Sequence, residues 1–166
     1  MSEICIRLGT EADLPAINEI YNYYVETSTC TFQLEPESDD ARRNWFAAHR
    51  ERHPVTVLDM DGEVAGWGSL SPFRERAGYA NTVEPSVYVR HDRLGRGFGR
   101  LLLVDLIQRA KTLEYHTMLA GACSEQEASV ALQEALGFEQ VAYLKEVGFK
   151  FGRWLDVLYM QLMLSP

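Results

Sequence analysis

The sequence TVEPSVYVRHDRLGRGFGRLLLVDLIQRA, residues 82–110, decides the fold of this chain. Its first part, Thr82–Val89, predicts a β-strand, residues 92–99 form a glycine-rich turn, and residues 100–110 predict a helix. Pro85 has no backbone N–H to donate, so it belongs at a bulge or at an edge of a sheet. A bulge here would leave neighbouring backbone groups free to contact a ligand.

The glycine-rich turn has the properties of an anion-binding site. Glycines directly before a helix let backbone N–H groups converge without interference from Cβ atoms, and the helix N-terminus adds partial positive charge. Full positive charges stand beside the glycines at Arg93, Arg96 and Arg100. A pyrophosphate group is the ligand that suits this combination.

Three phosphate-binding motifs can be compared with the turn. The P-loop needs Gly-Lys-Ser/Thr, which is absent, and the dinucleotide fingerprint G-x-G-x-x-G, begun at Gly95, would need glycine where Arg100 stands. The turn resembles instead the acyl-CoA turn Q/R-x-x-G-x-G/A of the GNAT superfamily of N-acetyltransferases. Gly97 and Gly99 fit its second half, whereas Leu94 replaces the usual Gln or Arg. A ligand-free surface loop is the alternative, but a strand before the turn and an amphipathic helix after it favour the acyl-CoA interpretation.

The composition predicts a single domain, residues 1–166, with a substantial core, since 46% of the residues are hydrophobic. A net charge of −8 argues against nucleic acid and anionic membranes as partners. No apolar run approaches the roughly 20 residues of a membrane span, and the N-terminus lacks a secretory signal. Cys5, Cys30 and Cys123 are odd in number and widely spaced, which predicts reduced thiols in a cytoplasmic protein.

The rest of the chain predicts an α/β fold with a mixed sheet and helices on both faces. Helices are expected at about 10–25, from 38 or 39 to before Pro54, and at 127–136. Strands are expected at 4–8, 55–58, 64–70, 117–122, 139–149 and 154–164. Asp61-Gly62 marks a hairpin turn, and Gly152-Arg153 is placed in the turn between the last two strands.

Two histidines have a spacing compatible with a metal ion. His49 and His53 lie four residues apart on the expected second helix, but Arg50 follows His49, so the pattern HExxH is absent. No third ligand is evident, which favours surface histidines and predicts no metal site.

Three further stretches carry a narrower resemblance. The sequence ETSTCTF at 26–32 resembles the first substrate loop of the phosphinothricin and methionine sulfoximine N-acetyltransferases. TVEPSVYV at 82–89 resembles their T-V-E-x-S-V-Y-V strand, and GFKFGRWLDVLYMQL at 148–162 resembles their G-x-K-x-G-x-W-x-D-V-x-x-x-Q-L ending. Nearly the whole chain can be laid on the GNAT fold, whose mostly antiparallel sheet has a splayed, bulged central strand.

The resemblance implies acetyl-CoA as co-substrate, without a metal. The pantetheine arm would pair along Val87, Tyr88 and Val89, in a slot opened by a bulge at Pro85. The pyrophosphate would sit on the turn formed by Gly95, Arg96, Gly97, Phe98, Gly99 and Arg100. The chain departs from the family twice: Gln126 replaces an Asn that contacts pantetheine, and Gln133 replaces a Tyr or His, so no general acid for the thiolate is obvious.

Glu84 is the candidate general base. An α-amino group with a pKa near 8 is mostly protonated at pH 7, so a base must remove a proton before the amine attacks a thioester. Glu84 lies on the strand beside the expected thioester, and an N–H near Val87 or Tyr88 would meet the developing oxyanion. Glu84 as an exposed strand carboxylate and Cys123 as an acylated nucleophile are the alternatives; a core thiol suits Cys123 better.

The expected substrate is a small amine bearing an anionic group. Arg74 and Arg76 precede the strand, and arginine binds carboxylate or phosphinate in bidentate fashion; solvated loop charges are the alternative. Tyr79 and Phe32 would form walls of the pocket. The expected substrate-binding set is Phe32, Arg74, Arg76, Tyr79, Glu84, Pro85 and Ser86.

Three functions stay open at this point. The first is acetylation of an amino-acid analogue such as phosphinothricin, methionine sulfoximine or methionine sulfone. The second is acetylation of another amine, a polyamine or a protein N-terminus, although Arg74 and Arg76 argue against a polycation. The third is a non-catalytic acyl-CoA sensor, which an intact Glu84 disfavours. The resemblance also implies a homodimer.

Overall fold

The computed structural model describes residues 3–165 as seven β-strands and four α-helices. The strands are β1 Ile4–Leu8, β2 Val55–Met60, β3 Glu63–Pro72, β4 Thr82–Val89, β5 Thr117–Cys123, β6 Glu139–Lys150 and β7 Arg153–Met163. The helices are α1 Leu14–Thr27, α2 Asp39–Ala48, α3 Phe98–Thr112 and α4 Glu127–Ala135. One sheet joins the strands in the order β1-β2-β3-β4-β5-β7-β6, antiparallel except for the parallel pair β4–β5. The predicted element order and fold class are confirmed.

Helices cover both faces of the sheet. Alternate residues of β3 point to opposite sides, so this strand contacts helices on both faces. Trp67 is buried in one cluster with Ile17 of α1. Its neighbours Gly66 and Gly68 face α3, where a Cβ would lie 3.1 Å from Cδ1 of Leu102 and 3.0 Å from Cδ1 of Leu106. The absence of side chains at these glycines therefore lets α3 pack closely across the centre of the sheet.

The sheet opens in its middle, between β4 and β5. These strands pair only at Thr82 with Thr117 and at Val83 with Met118. The β3–β4 ladder, in contrast, runs from Val89 to Val83 without a register shift, so the bulge expected at Pro85 is not found in that ladder. Pro85 lies instead on the edge of β4 that has separated from β5, which was the other position its missing N–H allowed.

Several predicted boundaries move by a few residues. Helix α3 begins at Phe98, not Arg100, because Gly97 takes the N-cap position with a φ of 79° and leaves a shorter turn before it. The last hairpin turns at Phe151 and Gly152, with φ values of 53° and 73°, so Arg153 belongs to β7. The turn at Asp61 and Gly62 is confirmed, and both residues have positive φ.

The placement of both histidines on the second helix was wrong. Helix α2 ends at Ala48, and a turn over residues 50–53 leads the chain into β2. His49 is extended and half-buried, with Nδ1 2.8 Å from the Trp45 carbonyl oxygen and Nε2 3.0 Å from Ser71 Oγ, so it is not a surface histidine. No group of three or more His, Cys, Asp or Glu side chains suited to a metal ion occurs within residues 3–165.

None of the helices within the described part of the chain has the length and apolar character needed to span a bilayer.

Candidate active site

A cavity of about 690 Å³ lies where β4 and β5 separate. It is lined by the loop 28–32, the edge of β4, β5 and α4. The turn 93–99 closes one end, so the cavity runs from the glycine-rich turn along the open strand to Glu84 and Phe32. The strand divergence therefore produces a slot of ligand size.

The glycine-rich end of the cavity offers unpaired backbone donors. Among residues 3–165, no backbone N–H from Leu94 through Arg100 has a protein acceptor. Gly95 and Gly97 have φ values of 75° and 79°, and a Cβ on either would meet no atom within 4 Å. Arg93 lines the cavity, whereas Arg96 and Arg100 are exposed beside it. Free amides at a helix N-terminus can hold an anion.

The open edge of β4 lies along the cavity over its whole length. Every residue from Glu84 to Val89 lines it, and all six are among the residues for which the sequence predicts a binding role. Beyond Val83 this strand has no β5 partner, so its outward-facing backbone groups can pair with an extended ligand. Tyr24 donates a hydrogen bond from Oη to the Val89 carbonyl oxygen (2.5 Å), which fixes the end of the strand.

Glu84 is a half-buried carboxylic acid in the cavity wall. Burial raises its pKa above the usual value, and the positive charge of Arg74 partly opposes that increase. Within residues 3–165 no hydrogen bond contributes to the shift, so no described side chain holds the carboxyl group. A carboxylate with a raised pKa and free lone pairs can accept a proton from a ligand.

The predicted substrate residues divide into two groups. Phe32, Pro85 and Ser86 line the cavity. Arg74, Arg76 and Tyr79 are exposed and do not line it, because residues 73–80 lie on the surface next to the start of β4. Arg74 is near enough to Glu84 to lower its pKa, and its guanidinium group lies 5.0 Å from the centre of the Phe73 ring.

Two glutamine side chains of the α4 region face the cavity. Gln126 precedes the helix and donates from Nε2 to Thr29 Oγ1 (3.0 Å). Gln133 stands seven residues later, about 10.5 Å along a helix axis. Its side chain is only 8% exposed, and its Oε1 has no hydrogen-bond partner within residues 3–165. An acceptor buried in this way favours a ligand that donates an N–H.

Cys123 also lines the cavity and is buried, as expected for a core thiol. Among the described residues that line the cavity there is no histidine. An acylated cysteine would need such a base to form its thiolate, so the site does not support that alternative.

Sequence reasoning took only Phe32 from the loop 28–32, although Ser28, Thr29, Cys30 and Thr31 line the cavity as well. The contact that Lys150 of β6 makes with this loop was not predicted either. The resemblance of residues 26–32 to a substrate loop was the available signal for the loop. No local signal connects Lys150 with residues more than a hundred positions earlier.

The fold and the cavity define an acyl-CoA-dependent transferase of the GNAT type. The family profile of the acetyltransferase (GNAT) domain matches residues 6–159, and the chain belongs to this family of enzymes.

Three individual proteins are similar to the chain over most of its length. The chain is 42% identical over 161 residues to the L-amino acid N-acyltransferase MnaT of Escherichia coli (96% of this chain, 94% of the relative). It is 44% identical over 163 residues to the L-methionine sulfoximine/L-methionine sulfone acetyltransferase of Pseudomonas paraeruginosa (97% and 95%). Among solved structures, the phosphinothricin acetyltransferase of Sinorhizobium meliloti in complex with AcCoA has a TM-score of 0.94 at 35% identity (98% of this chain, 89% of that chain).

Proposed function

We propose that this enzyme transfers an acetyl group from acetyl-CoA to the amino group of a small, anionic amino-acid analogue of the phosphinothricin, methionine sulfoximine or methionine sulfone type. The observation that carries the proposal is one continuous slot. It connects the free amides of the turn at Gly97, the unpaired edge of β4 and the unpartnered carboxyl group of Glu84. The names of the relatives support the substrate class.

The residues present fit acetyl-CoA. The amides of residues 95–100 would hold its pyrophosphate, and the edge from Val87 to Val89 would pair with the pantetheine arm. That arm contains amide N–H groups, which are the donors that the orphaned Oε1 of Gln133 needs. Gln126 would contact the same arm from the other end of α4, although its Nε2 now bonds to Thr29.

Acetyl-CoA supplies an acetyl group as a thioester, and residues of the chain have to deprotonate the amine that attacks it. Glu84 accepts a proton from the ammonium group, directly or through water, and so exposes the nitrogen lone pair for attack on the carbonyl carbon. A backbone N–H of β4 near Val87 or Tyr88 donates to the carbonyl oxygen as negative charge develops there. The new C–N bond replaces the C–S bond. The attacking nitrogen then loses its second proton, which passes through water to the departing thiolate, because the carboxamide of Gln133 cannot supply one.

The amine would lie between Glu84 and Phe32, with Pro85 and Ser86 beside it. Arg74 is the better candidate for the substrate anion, because its charge reaches Glu84. For Arg76 and Tyr79, exposed positions outside the cavity give weaker support.

The proposal includes a homodimer and a cytoplasmic location, where acetyl-CoA is available. Support for a second copy comes from a surface of exposed hydrophobic side chains on β6, β7 and their connecting turn. These are Val141, Tyr143, Val147, Phe149, Phe151 and Trp154. Light scattering with size-exclusion chromatography on wild type and Trp154→Glu would measure the association of two copies. A monomeric wild type would contradict the proposed homodimer.

Thiol release from acetyl-CoA tests the function. The panel contains phosphinothricin, methionine sulfoximine, methionine sulfone, a polyamine and a short peptide with a free N-terminus. We expect release with the first three only. Turnover confined to the polyamine or the peptide would replace the proposed substrate class. Calorimetric binding of acetyl-CoA without turnover of any amine would identify a non-catalytic sensor.

A further inference from the structure

Lys150 of β6 is a buried cation. Its side chain is on a residue that is 3% exposed, and Nζ donates to the carbonyl oxygens of Ser28 (2.7 Å) and Thr31 (2.8 Å). Among residues 3–165 no ion pair includes this lysine. A buried ammonium group is unfavourable unless it is well hydrogen-bonded, and here the two carbonyl groups stabilise it together with the Phe151 ring, whose centre lies 5.0 Å from Nζ.

The two carbonyls belong to residues of the loop that lines the cavity. Because both are directed at Nζ, the oxygens of Ser28 and Thr31 are occupied on the side of β6. A positive charge therefore stands directly behind the loop. Next to an anionic ligand this arrangement is favourable, since free carbonyl oxygens would repel the ligand and a cation attracts it.

Gly148 supports the same loop from the same strand. Side chains two residues apart in a strand point to one face, so Gly148 and Lys150 both face residues 28–32. Gly148 is covered by the Phe32 ring, and a Cβ there would lie 2.7 Å from Phe32 Cδ2. Gly148 therefore leaves space for the Phe32 ring, and Lys150 binds the backbone carbonyls of the residues before Phe32.

The β6–β7 hairpin holds the loop at a further point. Thr29 donates from Oγ1 to Glu125 Oε1 (2.6 Å), and Glu125 forms an ion pair with Arg153 of β7 (2.7 Å). The loop has no regular secondary structure of its own, so these contacts, together with the hydrogen bond between Tyr21 Oη and Thr31 Oγ1 (3.0 Å), stabilise its conformation. Lys150 makes the buried contact, and Glu125 with Arg153 makes the exposed one.

We propose that Lys150 is a positioning residue that holds loop 28–32 in the conformation that receives the anionic amine substrate. The inference rests on the proposed function for the identity of the substrate. Lys150 does not line the cavity, so it acts through the loop. Phe32 of that loop lies at the amine end of the cavity, whereas Thr29 contacts Gln126 beside the expected pantetheine arm.

The test compares Lys150→Met with the matched control Lys145→Met, an exposed lysine of the same strand. We expect Lys150→Met to raise KM for the anionic amine about ten- to a hundredfold, as for loss of a charge-assisted hydrogen bond. KM for acetyl-CoA should rise less than KM for the anionic amine, and KM for the uncharged carboxamide form of the amine should also rise less. Lys145→Met should match wild type. A fall in kcat and thermal stability with an unchanged amine KM would make Lys150 merely structural and overturn the proposal.

Hydrogen exchange on the ligand-free protein gives a readout that needs no activity. Amides of residues 28–33 should exchange at least about tenfold faster in Lys150→Met than in Lys145→Met; equal rates overturn the proposal. If wild type acetylates no amine, the proposed function fails, while exchange still decides whether Lys150 holds the loop. Should Lys150→Met not fold, Gly148→Ala displaces Phe32 instead, and an unchanged amine KM in that variant also overturns the proposal.

Discussion

Replacing Glu84 by Gln removes the proposed proton acceptor and keeps the size of the side chain. General-base loss lowers a rate by about 10²–10⁴. With an amine pKa near 8, about one tenth of the substrate is unprotonated at pH 7 and about nine tenths at pH 9. The uncatalysed proton loss therefore makes the defect about tenfold smaller over those two pH units.

The stability of this variant has an expected sign. Burial raises the pKa of Glu84 in the folded protein, so the folded state binds a proton more readily than the unfolded chain. The wild-type carboxylate then lowers the free energy of unfolding as pH rises through the unfolded and folded pKa values, and the effect is absent below both. Neutral Gln has no such effect, so Glu84→Gln should be at least as stable as wild type at pH 7.

The assay is kcat/KM from about pH 6 to 9.5 on folded protein, together with thermal unfolding. Wild-type kcat/KM should rise through a pKa that is missing in the variant. Glu75→Gln, the same change at an exposed position in the preceding segment, is the control and should match wild type. Parallel pH profiles for Glu84→Gln and wild type would refute the assignment of Glu84 as base, and a lower melting temperature would indicate a structural role.

Three further substitutions test other parts of the site. Gly97→Glu should abolish acetyl-CoA binding in calorimetry, because the new side chain enters the anion site. Gly62→Glu, a control with a similar positive φ in a distant turn, should bind acetyl-CoA normally. Retained affinity in Gly97→Glu would contradict the role of the turn in binding the pyrophosphate. Arg74→Ala should raise the amine KM by an amount equivalent to about 1.5–3 kcal/mol and leave the acetyl-CoA KM unchanged, and wild-type kinetics would make Arg74 a solvated charge. Gln133→Leu should increase thermal stability without ligand, since an orphaned buried acceptor costs about 1–3 kcal/mol, and should weaken acetyl-CoA binding; a loss of stability with normal binding would contradict both expectations.

Local patterns in the sequence were sufficient to predict the strand, the turn and the helix that form the candidate site. The strand Thr82–Val89 was predicted to the residue, and Pro85 indicated an interrupted ladder because its missing N–H is a local property. The turn at Gly97 was predicted because the spacing of its glycines is also a local property of the sequence. Its helix was predicted to begin two residues late, since Phe98 is compatible with either a turn or a first helical position.

Features that depend on distant contacts were not predictable in this way. The environment of His49 is set by Ser71 on another strand, and the role of Lys150 depends on carbonyl groups of Ser28 and Thr31. Backbone acceptors carry no residue identity, so no pattern in the sequence marks them. Arg74 and Arg76 look equivalent in sequence, and only the folded segment brings Arg74 nearer to Glu84.

The short β4–β5 ladder divides the sheet into two halves that are joined by only two residue pairs. A ligand lying along the open edge of β4 would act as the missing piece of the sheet and connect β1–β4 with β5–β7. Saturation should then extend the backbone hydrogen bonding across the gap, so that one continuous sheet replaces two halves. By mass action, ligand at a hundred times its Kd adds about 2.7 kcal/mol to the free energy of unfolding. The enzyme should therefore resist heat and proteases best when its co-substrate is abundant, so that its lifetime follows the acetyl-CoA supply.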